Sequence, residues 1–173
     1  FSLPFYLLDY RPALLVAAFL KLFAPGLFTI LFLRRLGLGA GAALVGAVAY
    51  TFGGYNVLWL SWAHVGSGIA LPAGLYYVEM AFQAPPDQPR RRGLALLGFA
   101  LAHAAGLLAG HPETFFFGVI LVGAYLLARL LGSTPSWRAR ARRVGEFGVA
   151  AALALALAAG QLLPFVAYLA HSA

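Results

Sequence analysis

The sequence predicts an all-α fold of the membrane type: a polytopic transmembrane helical bundle of about six spans. Three observations carry this expectation. Hydrophobic residues make up 62% of the chain and charged residues only 10%, against about 25% charged in soluble domains. The mean hydropathy is +0.86. Apolar runs near the ~20 residues needed to cross a hydrocarbon core of about 30 Å recur along the chain, with the charges gathered between them.

Taken in order, residues Phe1 to Pro12 mix aromatic and apolar side chains with Asp9, Tyr10 and Arg11, the composition of an interfacial segment. A first span is expected at about 13–33, kinked at Pro25, containing Lys21 and ending at Arg34-Arg35. The second, about 38–52, is rich in small residues, and Gly37 to Gly41 has the small-xxx-small spacing that lets helices approach closely. The aromatic and polar stretch Tyr50 to His64 reads as a belt folded over the membrane surface. A third span, about 65–82, contains Pro72. It ends in a loop with three prolines and three arginines, Gln83 to Arg92. Spans four and five are expected at about 93–109 and 113–131, joined by a tight turn. A second basic loop, Gly132 to Arg143, precedes the last span at about 144–163, which leads into Pro164.

The basic residues test this division. Arg34, Arg35, Arg90, Arg91, Arg92, Arg129, Arg138, Arg140, Arg142 and Arg143 all fall on one side, ten of the twelve in the chain. Arg11 falls on the other, and Lys21 lies within the first span. The positive-inside rule then makes the arginine loops cytoplasmic and leaves both ends outside. Topology therefore accounts for the net charge of +7, and nucleic acid is excluded as a partner. The chain contains no cysteine, so disulfides and thiolate metal sites are excluded.

The outer side then collects the polar chemistry: Asp9, Tyr55, Asn56, His64, His111, Glu113 and His171. Its densest cluster is Gly110-His111-Pro112-Glu113. Gly110 suits the left-handed close of a helix, Pro112 the first position of the next, and Glu113 the positive end of its dipole. The functional alternative places His111 and Glu113 in an outward cavity that binds a phosphate, a sugar hydroxyl or a metal. His103 lies near mid-membrane; a neutral histidine bonded to a neighbouring helix is favoured over an axial ligand. Lys21 is expected to face the interior or a cavity on the cytoplasmic side, with Glu79 a conceivable partner and a lipid phosphate the functional alternative. Asp87 and Glu146 read as solvated partners of the arginines beside them. The residues leave a divalent metal open and predict no pigment or haem.

Several patches together resemble the bacterial YfhO-like membrane protein family. They are Lys21 with Leu33-Arg34-Arg35-Leu36-Gly37, Ala49-Tyr50-Thr51-Phe52-Gly53-Gly54-Tyr55-Asn56, Trp62-Ala63-His64, Leu108 to Thr114, and Ala158-Ala159-Gly160-Gln161-Leu162-Leu163-Pro164-Phe165. The resemblance implies a GT-C-type glycosyltransferase architecture, a polyprenyl-phosphate-linked sugar donor and glycosylation of a cell-envelope polymer at the bacterial cytoplasmic membrane. It implies a substrate-binding set of His111, Glu113, His64, Lys21 and Arg11. The family's acidic motif lies upstream of every matched patch, so the catalytic residue itself is unassigned. The chain starts at Phe1 and stops at Ala173, and a fragment lacking that motif and the C-terminal part, inactive alone, is expected. Two other classes stand beside this reading. One is a non-catalytic subunit of a larger membrane complex; the other is a lipid-linked substrate transporter, for which inverted repeats are expected and none is visible.

Overall fold

A computed structural model describes residues 3–134 and 136–171. Phe1 and Ser2 of the interfacial segment, Pro135 of the second basic loop, and Ser172 and Ala173 at the C-terminal end lie outside the described residues. Among the described residues every regular element is an α-helix. In order they are α1 (Pro4–Leu7), α2 (Tyr10–Arg35), α3 (Ala40–Thr51), α4 (Gly54–Leu58), α5 (Ala63–Ser67), α6 (Ala70–Phe82), α7 (Pro89–Leu108), α8 (Pro112–Ser133), α9 (Trp137–Leu157) and α10 (Ala159–His171).

All six expected spans are helical, but they are unequal. Two helices, α2 and α8, are long and apolar enough by themselves to cross a membrane, at 26 and 22 residues. The pair α9 and α10 makes a third if it is one span, bent by 76°. At ~1.5 Å per residue, α3 with 12 residues and α6 with 13 reach only about 18–20 Å. The third expected span is divided, with α5 and α6 in place of one continuous helix. The last expected span is broken at Ala158, and Pro164 lies inside α10 rather than after it. Ala158, fully buried, closes α9 with its N–H bonded to Ala154 O, and within α10 Pro164 denies a hydrogen bond to the Gly160 carbonyl four residues back.

Two other expectations are corrected. Both arginine clusters are helical rather than looped: Pro89 opens α7 ahead of Arg90, and the Ser136 hydroxyl caps α9 by accepting from Ala139 N–H at 3.3 Å. The Gly37–Gly41 spacing makes no close helix contact, since a Cβ at Gly37, Gly39 or Gly41 would meet nothing within 4 Å. The α2–α3 contact is made further along, where Ala43 and Ala47 are buried and Gly26 faces the Thr51 hydroxyl.

Helix α6 is the centre of the bundle, packed against α2, α7 and α8, while α9 packs on α7. It buries Ala70, Pro72, Ala73, Gly74, Val78, Glu79 and Ala81. The core around it joins Val78, Ala81, Ala95, Phe99, Ala100, Val122, Phe147 and Ala150. Gly74 is required by this packing. A Cβ there would come within 2.8 Å of Val122 Cγ2 and 2.9 Å of His103 Cε1.

Candidate functional site at the histidine end

The bundle has two chemically distinct ends. The end opposite the arginines is built around the α7–α8 turn. Gly110 closes α7 with φ +89°, the left-handed conformation expected of it. Pro112 opens α8, and the His111 side chain caps it: Nδ1 accepts from Thr114 N–H at 3.2 Å and lies 2.8 Å from Thr114 Oγ1. A nitrogen that accepts from a backbone N–H carries its lone pair there, which puts the neutral ring's proton on Nε2. The Tyr55 hydroxyl lies 2.8 Å from the same Thr114 oxygen, and His111 N–H donates to Ser67 Oγ at 3.2 Å.

The turn is thus tied to α4 and α5, and those ties bring the predicted histidines together. The His64 and His111 rings stand 3.6 Å apart, and His64 also stacks on Trp59 at 4.8 Å. His64 Nδ1 is buried and makes no hydrogen bond. The Tyr50–His64 stretch, expected as a surface belt, is held to the bundle. The Asn56 side chain donates to Tyr50 O at 2.6 Å, and the Tyr50 hydroxyl donates to Gly68 O at 3.2 Å. Trp59 and Trp62 remain exposed at its rim.

Lys21 faces the interior, the first of the two placements expected for it, and belongs to this end of the bundle. Its ammonium donates to Leu60 O and Trp62 O, both at 3.0 Å. The Glu79 pairing does not form, because Glu79 is occupied at the opposite end. Lys21 lines a cavity of about 400 Å³ whose other walls include Phe5, Leu14, Leu15, Leu108 and Ala109. Most of the lining is apolar, and Ser61 and Lys21 are its polar side chains.

The remaining predicted residues are not assembled with it. Arg11 and Glu113 are exposed, and neither forms an ion pair among the described residues. Arg11, Glu113, His64 and His111 are not among the residues lining the Lys21 cavity. His103 is buried, but it is bonded within its own helix rather than to a neighbour: Nδ1 donates to Phe99 O at 2.8 Å, and the ring stacks on Phe99 at 4.0 Å. No group of three or more His, Asp or Glu able to hold a metal occurs among the described residues.

The arginine end carries an ionic network. Glu79, 3% exposed, pairs with Arg129 Nε at 3.1 Å, although that N–H is not aligned as a hydrogen bond. Glu79 also accepts from the Tyr125 hydroxyl at 2.6 Å and from Gln83 Nε2 at 2.8 Å. Arg35 donates to Gln83 Oε1 at 3.0 Å. Glu146 is not merely solvated: it faces Arg92 at 3.6 Å, Arg142 at 3.7 Å and Arg143 at 3.4 Å.

Sequence reasoning passed over Ser67, Thr114 and the Glu79 network. Thr114 was findable, since it stands three residues after the capping position, where a cap bonds. Glu79 and Gln83, the residue that caps the same helix, are four apart, a spacing that places them side by side. Ser67 carried no such signal. Comparison with protein-family models, curated proteins and solved structures finds no match for the chain.

Proposed function

We propose that the chain is the central part of a GT-C-like membrane glycosyltransferase. It would use a polyprenyl-phosphate-linked sugar to modify a cell-envelope polymer at the bacterial cytoplasmic membrane. In this reading all six helical segments are membrane-embedded, the arginine end is cytoplasmic, and the histidine end faces outward. The observation that carries it is Lys21. A donor of this kind combines an anionic phosphate with an apolar chain, and the Lys21 cavity combines one ammonium with walls that are mostly apolar. The neighbouring turn of His64, His111 and Thr114 supplies hydrogen-bonding groups of the type a sugar engages. The general base that an acceptor hydroxyl needs is assigned to none of these residues.

The test is transfer of labelled sugar from polyprenyl-phosphate donor in membranes carrying the full-length gene product. Lys21→Met removes one charge-assisted contact, so transfer should fall about 10- to 100-fold, with Lys21→Arg retaining more. Full activity in a folded Lys21→Met protein would sink the reading.

A second reading, a non-catalytic subunit of a larger membrane complex, is favoured by α10. That helix is apolar, buries none of its residues, and exposes Leu163, Phe165, Val166 and Leu169. Recovery of the chain in a stable stoichiometric complex, with no transfer activity, would decide for it.

A further inference from the structure

The arginine end is a charge-imbalanced network. Its groups are in continuous contact. Arg35 reaches Glu79 through Gln83. Glu79 pairs with Arg129. The Arg129 and Arg143 guanidiniums lie 5.4 and 5.2 Å from the Phe82 ring centre. Arg143 meets Glu146, which also faces Arg92 and Arg142. Five guanidiniums therefore share two carboxylates, an excess of three positive charges.

Part of that charge is withdrawn from water. The Arg92 and Arg143 side chains are only 14% and 12% exposed. Arg35 Nε and Arg92 Nε are buried and make no hydrogen bond. Like charges held together with unfilled donors raise the energy of the network unless an anion joins it. The local rule is also broken, since Arg90, Arg91 and Arg92 occupy the first turn of α7 with no acidic residue there, where the helix dipole repels cations. A phosphate group, with several acceptor oxygens matched to the guanidinium fork, meets all of these demands.

We propose that this network is a binding site for a phosphate-bearing anion, supplied by a phospholipid headgroup at that face of the membrane. The site stands at the opposite end from the Lys21 cavity and is independent of the glycosyltransferase reading.

The test is thermal unfolding of the full chain in an uncharged detergent, with phosphatidylglycerol, phosphatidylcholine or inorganic phosphate added at matched ionic strength. Phosphatidylglycerol near a hundred times its dissociation constant should raise the unfolding temperature by roughly 5–10 °C, and phosphatidylcholine should not. Arg92→Gln combined with Arg143→Gln should abolish the rise, whereas Arg138→Gln, on an exposed side chain outside the network, should keep it. If the double variant does not fold, Glu146→Gln serves instead. Removing a competing carboxylate should lower the lipid concentration needed severalfold. Equal effects of both lipids, no effect of either, or a weaker response in Glu146→Gln would overturn the proposal. A rise reproduced by inorganic phosphate alone would overturn the headgroup as its source.

Discussion

Replacing Glu79 by alanine removes a buried carboxylate from the central helix α6 and leaves its partners behind. Arg129 loses its counter-ion and the Tyr125 hydroxyl its acceptor, while Gln83 Nε2 keeps its bond to Arg35 O at 2.9 Å. Breaking a buried pair from one side costs about 3–5 kcal/mol, because the remaining charge is uncompensated. The Arg129 side chain is 32% exposed, so water recovers part of that cost and the expected loss lies near the lower end, about 3 kcal/mol. Glu79→Gln keeps an oxygen that can still accept from Tyr125, and should cost about half as much. Adding Arg129→Met to Glu79→Ala removes the stranded cation. The double variant should then be more stable than the sum of the singles by about 1–3 kcal/mol. Unfolding in detergent, followed by circular dichroism against denaturant, gives all three values. A loss below about 1 kcal/mol for Glu79→Ala, or strict additivity in the cycle, would show that the network does not hold the bundle.

The α7–α8 turn gives two more tests. Gly110→Ala forces a side chain into a left-handed backbone and should destabilise by about 1–2 kcal/mol, read as a lower unfolding temperature with unchanged helix content. His111→Ala removes the cap of α8 and should cost about 0.5–2 kcal/mol, while His111→Asn, a good capping residue, should restore most of it. On the proposed transferase reading, activity that stays low in the restored protein gives the imidazole a chemical role. If activity returns with stability, the histidine is a cap alone.

The helical class and the tight turn were legible because each has a local cause. Apolar runs need no partner to declare themselves, and Gly110-His111-Pro112 states a helix end and a helix start in three residues. The lengths of α3 and α6 were less so, since composition shows where a helix is apolar but not how much of it lies in one straight rod. The surroundings of Lys21 were only half legible for a related reason. Its position within the first span is readable, but the carbonyls it binds belong to a turn some 40 residues away, and no periodicity reports that approach. The Arg35, Glu79, Arg129 and Arg143 network is likewise a product of tertiary packing, joining four helices that the sequence only orders along a line.

The two ends of the bundle are fastened by different physics, and that difference sets where it can yield. At one end α2, α6, α7, α8 and α9 meet in a single knot of charge. At the other, the helices are held by ring stacking and by hydrogen bonds made mostly between uncharged groups. Ionic strength acts on contacts of the first kind and leaves those of the second nearly untouched. A change of salt is therefore felt at the arginine end, while the Lys21 cavity, beside contacts of the second kind, is left as it was.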